Sequence, residues 1–369
     1  MNKRVLVPLV LLLLCGAIFG VVQYQIASRP PAPTPIPTKA PTTLINGWGG
    51  QIFLADPDVI ARLLDQYNLR VDFKAVGSSD MVTGDLKGLD FIWPGSAVTY
   101  DEFSQARKGL ELKHATIFRT YQMIFAWTKY QKPLLRSGLI YEKDGAYYMK
   151  MSPMIQAMND GKTWAQLGLP ELPGFANITF TDPERSGGGM TCLTLFANYQ
   201  VPGGDNGGKV VTRAQLDPIF PSLLKIWENQ GRQDKASPEG FDAWLQRGSG
   251  VPLNCSSESL YLGWRKTAAQ SDVDLVFGIY PEWTISSDHT LVGLTPNGVR
   301  LVDIFSTDKE LWQIGWRNMG MRTRAGGVSA KAGDTDVPWI SADPNFTAEV
   351  TTDVSTAIRD AIAAYRTGK

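Results

Sequence analysis

Between Thr43 and Lys108 the chain repeats one pattern: an apolar run, a small polar loop, then a helical stretch. Thr43-Leu44-Ile45-Asn46 suits a strand and stops at Gly47-Trp48-Gly49-Gly50. Asp56-Pro57 then opens a helix, with Asp as cap, Pro in the first turn, and Val59, Ile60, Leu63, Leu64 and Tyr67 on one face. Arg70–Val76 alternates like a half-buried strand and ends at Gly77-Ser78-Ser79-Asp80. A short helical piece leads to Leu89–Trp93, a third strand, closed by Pro94-Gly95-Ser96 ahead of a helix over Tyr100–Lys108. A β-α-β-α-β order of this kind predicts parallel strands with crossover helices, an α/β fold. In open α/β sheets ligands sit outside the carboxyl ends of the strands, so the loops 47–50, 77–80 and 94–96 are expected to converge on one.

A second ligand signal lies in Ile178–Tyr199. Ile178 and Phe180 suit a strand, Asp182-Pro183 breaks it, and Ser186 can cap a helix carrying Met190, Leu193, Leu195, Phe196 and Tyr199 on its apolar face. Gly187, Gly188 and Gly189 leave the first backbone N–H groups of that helix uncovered, and an uncovered helix start attracts anions and polar ligand atoms. Arg185 beside it adds a positive charge that favours an anionic ligand; a salt bridge to Glu184 or Asp182 is the competing use of the same side chain.

The rest of the chain alternates further. His114–Lys129 reads as a long strand, and Gly138–Met149 as a hairpin turning at Asp144-Gly145. Helical patterns cover about 152–167, 190–200, 213–230, 238–247 and 256–270, the last capped by Ser256 and Ser257. Asp274–Tyr280 is a strand, Leu291–Leu294 and Val299–Ile304 return through a second sheet, and Lys309–Asn318 and Ser355–Tyr365 are helices.

The N-terminus sets the compartment. Lys3-Arg4 precede eighteen uncharged residues, Val5–Val22, close to the roughly 20 that span a bilayer. An uncleaved signal-anchor, a cleaved signal and lipidation at Cys15 are the three readings, and each exports the remainder. Six prolines between Pro30 and Pro41 predict an extended spacer of about 3 Å per residue. Residues 1–55 carry four basic residues and no acid, which leaves 32 basic against 36 acidic in the rest. With no basic stripe, nucleic-acid binding is not expected. Cys192 and Cys255 remain in the exported body, as a disulfide or as two buried thiols.

Taken in order, these pieces resemble the type 2 periplasmic solute-binding proteins, the receptors of bacterial ATP-driven (ABC-type) importers. The resemblance rests on Gly77-Ser78-Ser79-Asp80-Met81, Asp90-Phe91-Ile92-Trp93-Pro94-Gly95-Ser96, Thr181–Met190 and Tyr280-Pro281-Glu282. It implies a two-lobed body over 43–325, with a first lobe at about 43–122 and 284–325 and a second at about 123–283. Around it stand a membrane segment at 1–28, a proline-rich stalk at 29–42, and a C-terminal loop and helix at 326–369 packed on the first lobe. It implies hinge segments near Tyr121–Thr128 and Phe277–Trp283. It assigns ligand contacts to Ser186, Gly187 and Gly188 on one lobe and to Trp48, Ser78, Ser79 and Ser96 on the other, with Arg185 and Glu282 beside the crossings. The implied function is to clamp a small solute, one with an anionic group if Arg185 serves it, and present it to an ABC-type membrane permease.

A membrane-anchored sensor or interaction protein on the same fold is the alternative. Enzyme activity is not expected. Ser186 lacks the Gly-x-Ser-x-Gly elbow, and the glycine run is neither a P-loop nor a dinucleotide fingerprint. No cofactor is implied, and neither His114 nor His289 stands at metal-ligand spacing from a cysteine.

Overall fold

A computed structural model describes residues 42–203, 208–231, 233–323, 337, 340 and 344–368, and not the side chains of Gln51, Ser78 and Ser79. The expected membrane segment, the proline stalk and the loop over Gly326–Asp336 lie outside the described residues. No helix among those described is long and apolar enough to cross a membrane.

The first lobe follows the predicted order. Strand β1 (Thr43–Gly49) leads to helix α1 (Pro57–Tyr67), β2 (Leu69–Lys74), β3 (Phe91–Trp93) and α2 (Ala97–Ala106). Asp56 caps α1 through Asp58 and Val59 N–H, and β1 pairs in parallel with both β2 and β3. Two antiparallel strands complete this half-sheet: the front of β4 (Lys113–Trp127) and β9 (Thr284–Gly293). The core between sheet and helices holds Ile45, Phe53, Val59, Phe91, Phe118 and Phe305.

β4 joins the halves. Through Tyr121 it pairs with β9, and from Gln122 onward with β7 (Leu253–Ser257) and β8 (Val276–Pro281). The hairpin β5 (Ile140–Lys143) and β6 (Ala146–Met149) extends the second half, with Asp144 and Gly145 both at positive φ in its turn. The helices that pack there include α3 (Met151–Asp160), α4 (Gly187–Asn198), α5 (Arg213–Glu228), α6 (Ser237–Arg247) and α7 (Glu258–Trp264). The chain returns from β8 to β9 through Glu282-Trp283. Cys192 and Cys255 form a disulfide that fastens α4 to β7.

Three local expectations change. Val299–Ile304 is not a strand but part of helix α8 (Pro296–Thr307), where Thr295 caps Gly298 N–H, Pro296 starts the helix, and Leu301 and Phe305 face the core one turn apart. Ile178–Phe180 makes only an isolated parallel bridge, Thr179 to Asn254. Its partner β7 occupies the start of the stretch read as helix 256–270, so α7 begins at Glu258 and Ser257 makes no side-chain cap.

Helix α9 (Lys309–Met319) and strand β10 (Arg322–Thr323) close the first lobe, β10 pairing with β4. Strand β11 (Phe346–Thr347) then adds to the start of β9, and helix α10 (Thr352–Gly368) ends the chain. Expected against the first lobe, α10 touches both. Val354, Ile358 and Ile362 join the second lobe's core cluster, and Arg366 bonds Asp182 at 2.8 Å. Arg359 meanwhile bonds Glu102 of α2 at 2.6 Å. The apolar i, i+4, i+8 stripe explains the first placement, and the opposite charges the second.

Candidate functional site

Between the half-sheets lies a cavity of about 390 Å³ lined from both. The three polar loops of the first lobe all reach it, through Gly50, Gly77 and Gly95-Ser96. The turn after β1 needs its glycines: Gly49 stands at φ +87°, and a Cβ there would come within 2.4 Å of the Trp93 carbonyl oxygen. Ile52, Phe53, Trp93 and Phe118 form an apolar wall beside these loops. At the junction of the lobes Thr120, Gln122, Ser257, Ser259 and Ser287 contribute a polar floor.

The second lobe presents the start of α4. Ser186 has extended backbone angles, and its Oγ accepts from Gly189 N–H at 3.2 Å and from Thr181 Oγ1 at 2.8 Å. Both interactions use Ser186 as acceptor, so its own proton turns to Ser237 Oγ, 3.0 Å away. Ser237 in turn keeps a hydroxyl proton for the cavity that it lines. The N–H groups of Gly187 and Gly188 precede any intrahelical acceptor, and both glycines line the cavity. A Cβ on Gly188 would lie 2.1 Å from Ser237 Oγ, so this helix start and that of α6 are packed as closely as glycine allows. Unlike Asp56 and Thr295, Ser237 is not a cap: it is the first residue of α6, Ala236 holds the cap position without a side-chain bond, and Ser237 therefore carries no local sequence mark of its place at the cavity.

Charge is sparse and sits at the rim. Arg185 and Lys235 line the cavity together with Glu239. The Arg185 side chain is 53% exposed and 3.8 Å from Asp182, whose closer partner is Arg366. Arg185 is thus only loosely engaged by the salt bridge that competes for it. His289 also lines the cavity, on β9. Its Nε2 is shielded from solvent and has no hydrogen-bond partner among the described residues, and burial lowers its pKa to about 4, so the ring is neutral at physiological pH. Sequence spacing could not reveal it, because it stands beside Gly95 only through the pairing of β3 with β9.

Of the residues assigned from sequence, Ser96, Arg185, Ser186, Gly187 and Gly188 come together at this cavity. Ser78 and Ser79 lie on a short helix, Ser78–Thr83, whose neighbours Gly77 and Met81 line it. Trp48 is placed elsewhere, against Gly84 and 5.9 Å from Lys74 Nζ. Glu282 sits on the link between the lobes, outside the lining, and burial raises its pKa. Among the described residues no group of three or more metal-ligating side chains is found.

The fold and the interlobe cavity define a two-lobed α/β architecture of the periplasmic-binding-protein type. Solved structures share it. The sulfate-binding protein SubI from Mycobacterium tuberculosis matches with TM-score 0.54 and 13% identity, over 85% of this chain and 95% of that one. The periplasmic binding protein AfuA from Actinobacillus pleuropneumoniae, with fructose 6-phosphate bound, matches with TM-score 0.55 and 13% identity, over 88% and 98%. Iron-bound HitA from Pseudomonas aeruginosa matches with TM-score 0.58 and 8% identity, over 87% and 99%. Identities this low establish a common fold. No protein-family model and no curated protein matches the sequence.

Proposed function

We propose that this chain is an extracytoplasmic solute-binding receptor that clamps a small ligand bearing an anionic group between its two lobes and presents it to an ABC-type permease. One observation carries the reading. The uncovered N–H groups of Gly187 and Gly188, with Ser237 as an added donor, open onto a cavity whose other wall belongs to the opposite lobe. Donors fixed on a helix start suit an oxyanion, and the Arg185 and Lys235 side chains at the rim add attraction. Sulfate and fructose 6-phosphate, from the descriptions of two of the solved neighbours, have this chemistry. In this reading residues 1–42 anchor and space the body from the membrane, and the lobes close about β4 and the Glu282-Trp283 link.

A thermal-shift screen of the purified protein against oxyanions, amino acids, sugars and metal chelates tests the proposal. A ligand at 100 times its Kd adds about 2.7 kcal/mol to stability. Hits confined to neutral sugars, or oxyanion hits whose affinity survives both Arg185→Ala and Gly188→Val, would sink the assignment.

The anchored-sensor alternative draws support from α10, which bonds both lobes and so limits how far they part. Reconstitution with candidate ABC-type permeases decides: a receptor stimulates uptake, a sensor does not.

A further inference from the structure

Two helix starts face each other where the lobes meet, and one is already filled. Ala97 N–H at the start of α2 donates to Glu349 Oε2 at 2.5 Å, with Val98 N–H at 3.4 Å. Ser287 Oγ of β9 donates to Oε1 at 3.0 Å, and Thr191 Oγ1 of α4, whose proton goes chiefly to the Gly187 carbonyl at 2.9 Å, lies 3.3 Å from the same oxygen. Ser96, Gly187 and Ser287 line the cavity, and Ser96 and Gly187 also line the small gap that holds Glu349. The carboxylate therefore sits directly behind the cavity wall, between α2 of one lobe and α4 of the other.

No cation balances it among the described residues. Arg359 of α10 borders the same gap but bonds Glu102 of α2, and on β9 Asp288 pairs with Arg119 of β4. From α4 it meets only neutral side chains, Met190, Thr191 and Thr194. An uncompensated carboxylate behind the wall of a cavity repels any anion bound in it.

We propose that Glu349 is a built-in anion that sets the charge this cavity accepts: it occupies the α2 start, leaves the α4 start to the ligand, and restricts the ligand to one negative charge. The ligand class follows. A monoanion, such as a hydroxy acid with its carboxylate at Gly187–Gly188, is accepted, with its uncharged remainder against the serines and the apolar wall. A dianion is disfavoured while Glu349 is ionised. This rests on the anionic-ligand reading above and narrows it.

Glu349→Gln is the direct test, since the amide oxygen can still accept from Ala97 while the charge is gone. Calorimetric titrations at pH 8 would compare gluconate and lactate as monoanions with sulfate and glucose 6-phosphate as dianions. The wild-type protein is expected to prefer the monoanions, and the variant to gain at least about tenfold in sulfate affinity and roughly threefold, the square root of that, for gluconate, because the repulsion scales with ligand charge. The wild-type protein supplies a second arm that needs no variant. Burial holds the Glu349 pKa at about 7, so lowering the pH from 8 to 6 neutralises it, while sulfate keeps its charge and His289 stays neutral. Sulfate affinity should rise over that range in the wild-type protein and stay level in Glu349→Gln. Equal sulfate affinity in both proteins, or parallel pH profiles, would overturn the role of Glu349 while leaving an anion site in place. Failure of both proteins to bind any of the four anions would overturn the anionic reading and the charge restriction together.

Discussion

The starts of α2 and α4 share a local design and meet different ends. Each follows a polar loop, and each has a serine cap with extended backbone whose Oγ accepts from the N–H three residues on, at 3.2 Å in both cases. At α2 the next amides are taken by Glu349, from the far end of the chain. At α4 they are glycine amides turned toward the cavity. The difference teaches that a capped helix start becomes a site only when no distant acceptor claims its donors. Satisfying a helix start is an accounting over the whole fold, not over the neighbouring residues.

The largest expected effect breaks what is peculiar to α4. Only that helix is fastened by a disulfide, and Cys192→Ser should lower stability by about 4 kcal/mol in the loop-closure account, measured by urea unfolding under oxidising conditions. Breaking the other start comes next. Glu349→Ala leaves the Ala97 amide and the Ser287 hydroxyl without their acceptor, while Thr191 keeps the Gly187 carbonyl, with an expected loss of about 2 kcal/mol.

The charge of Glu349 can be separated from its hydrogen bonds by pH. Its folded pKa, about 7, lies above the unfolded carboxylate value, so the folded state holds the proton more tightly. Stability from this group is present in full below the unfolded pKa and falls as pH rises through 7. The loss should be on the order of 1–3 kcal/mol, and Glu349→Gln should remove that slope from unfolding curves taken between pH 4.5 and 8. Smaller still, Ser96→Ala and Ser186→Ala should each cost about 1 kcal/mol as lost caps. Only Ser186→Ala breaks the Thr181–Ser186–Ser237 chain, so it should weaken ligand binding more than Ser96→Ala in the same titration. Equal ligand effects from the two variants would erase the distinction drawn between the helix starts.

Much of this arrangement was legible in the chain. The β-α-β-α-β opening, the convergence of three glycine-containing loops and the capped glycine helix all came from short-range signals: periodicity, caps and turn residues. What escaped depended on long-range partners. Glu349 lies 252 residues from Ala97 and carries no local mark. His289 reaches the cavity through strand pairing. Val299–Ile304 misled because a run of apolar residues fits a strand or a buried helix equally, and the deciding signal, Thr295-Pro296, lies just before it. Trp48 stood in the right loop but pointed to the other face of β1, a matter of strand parity rather than loop position.

The C-terminal helix carries one further consequence. A receptor whose binding-competent shape is rarely populated shows a weakened apparent affinity, Kd divided by the competent fraction. Helix α10 grips Glu102 on one side and Asp182 and Glu184 on the other. These contacts tie both walls to one helix and favour the shape in which they face each other. In the receptor reading this tie raises the competent fraction and shortens the travel by which the lobes close on a ligand.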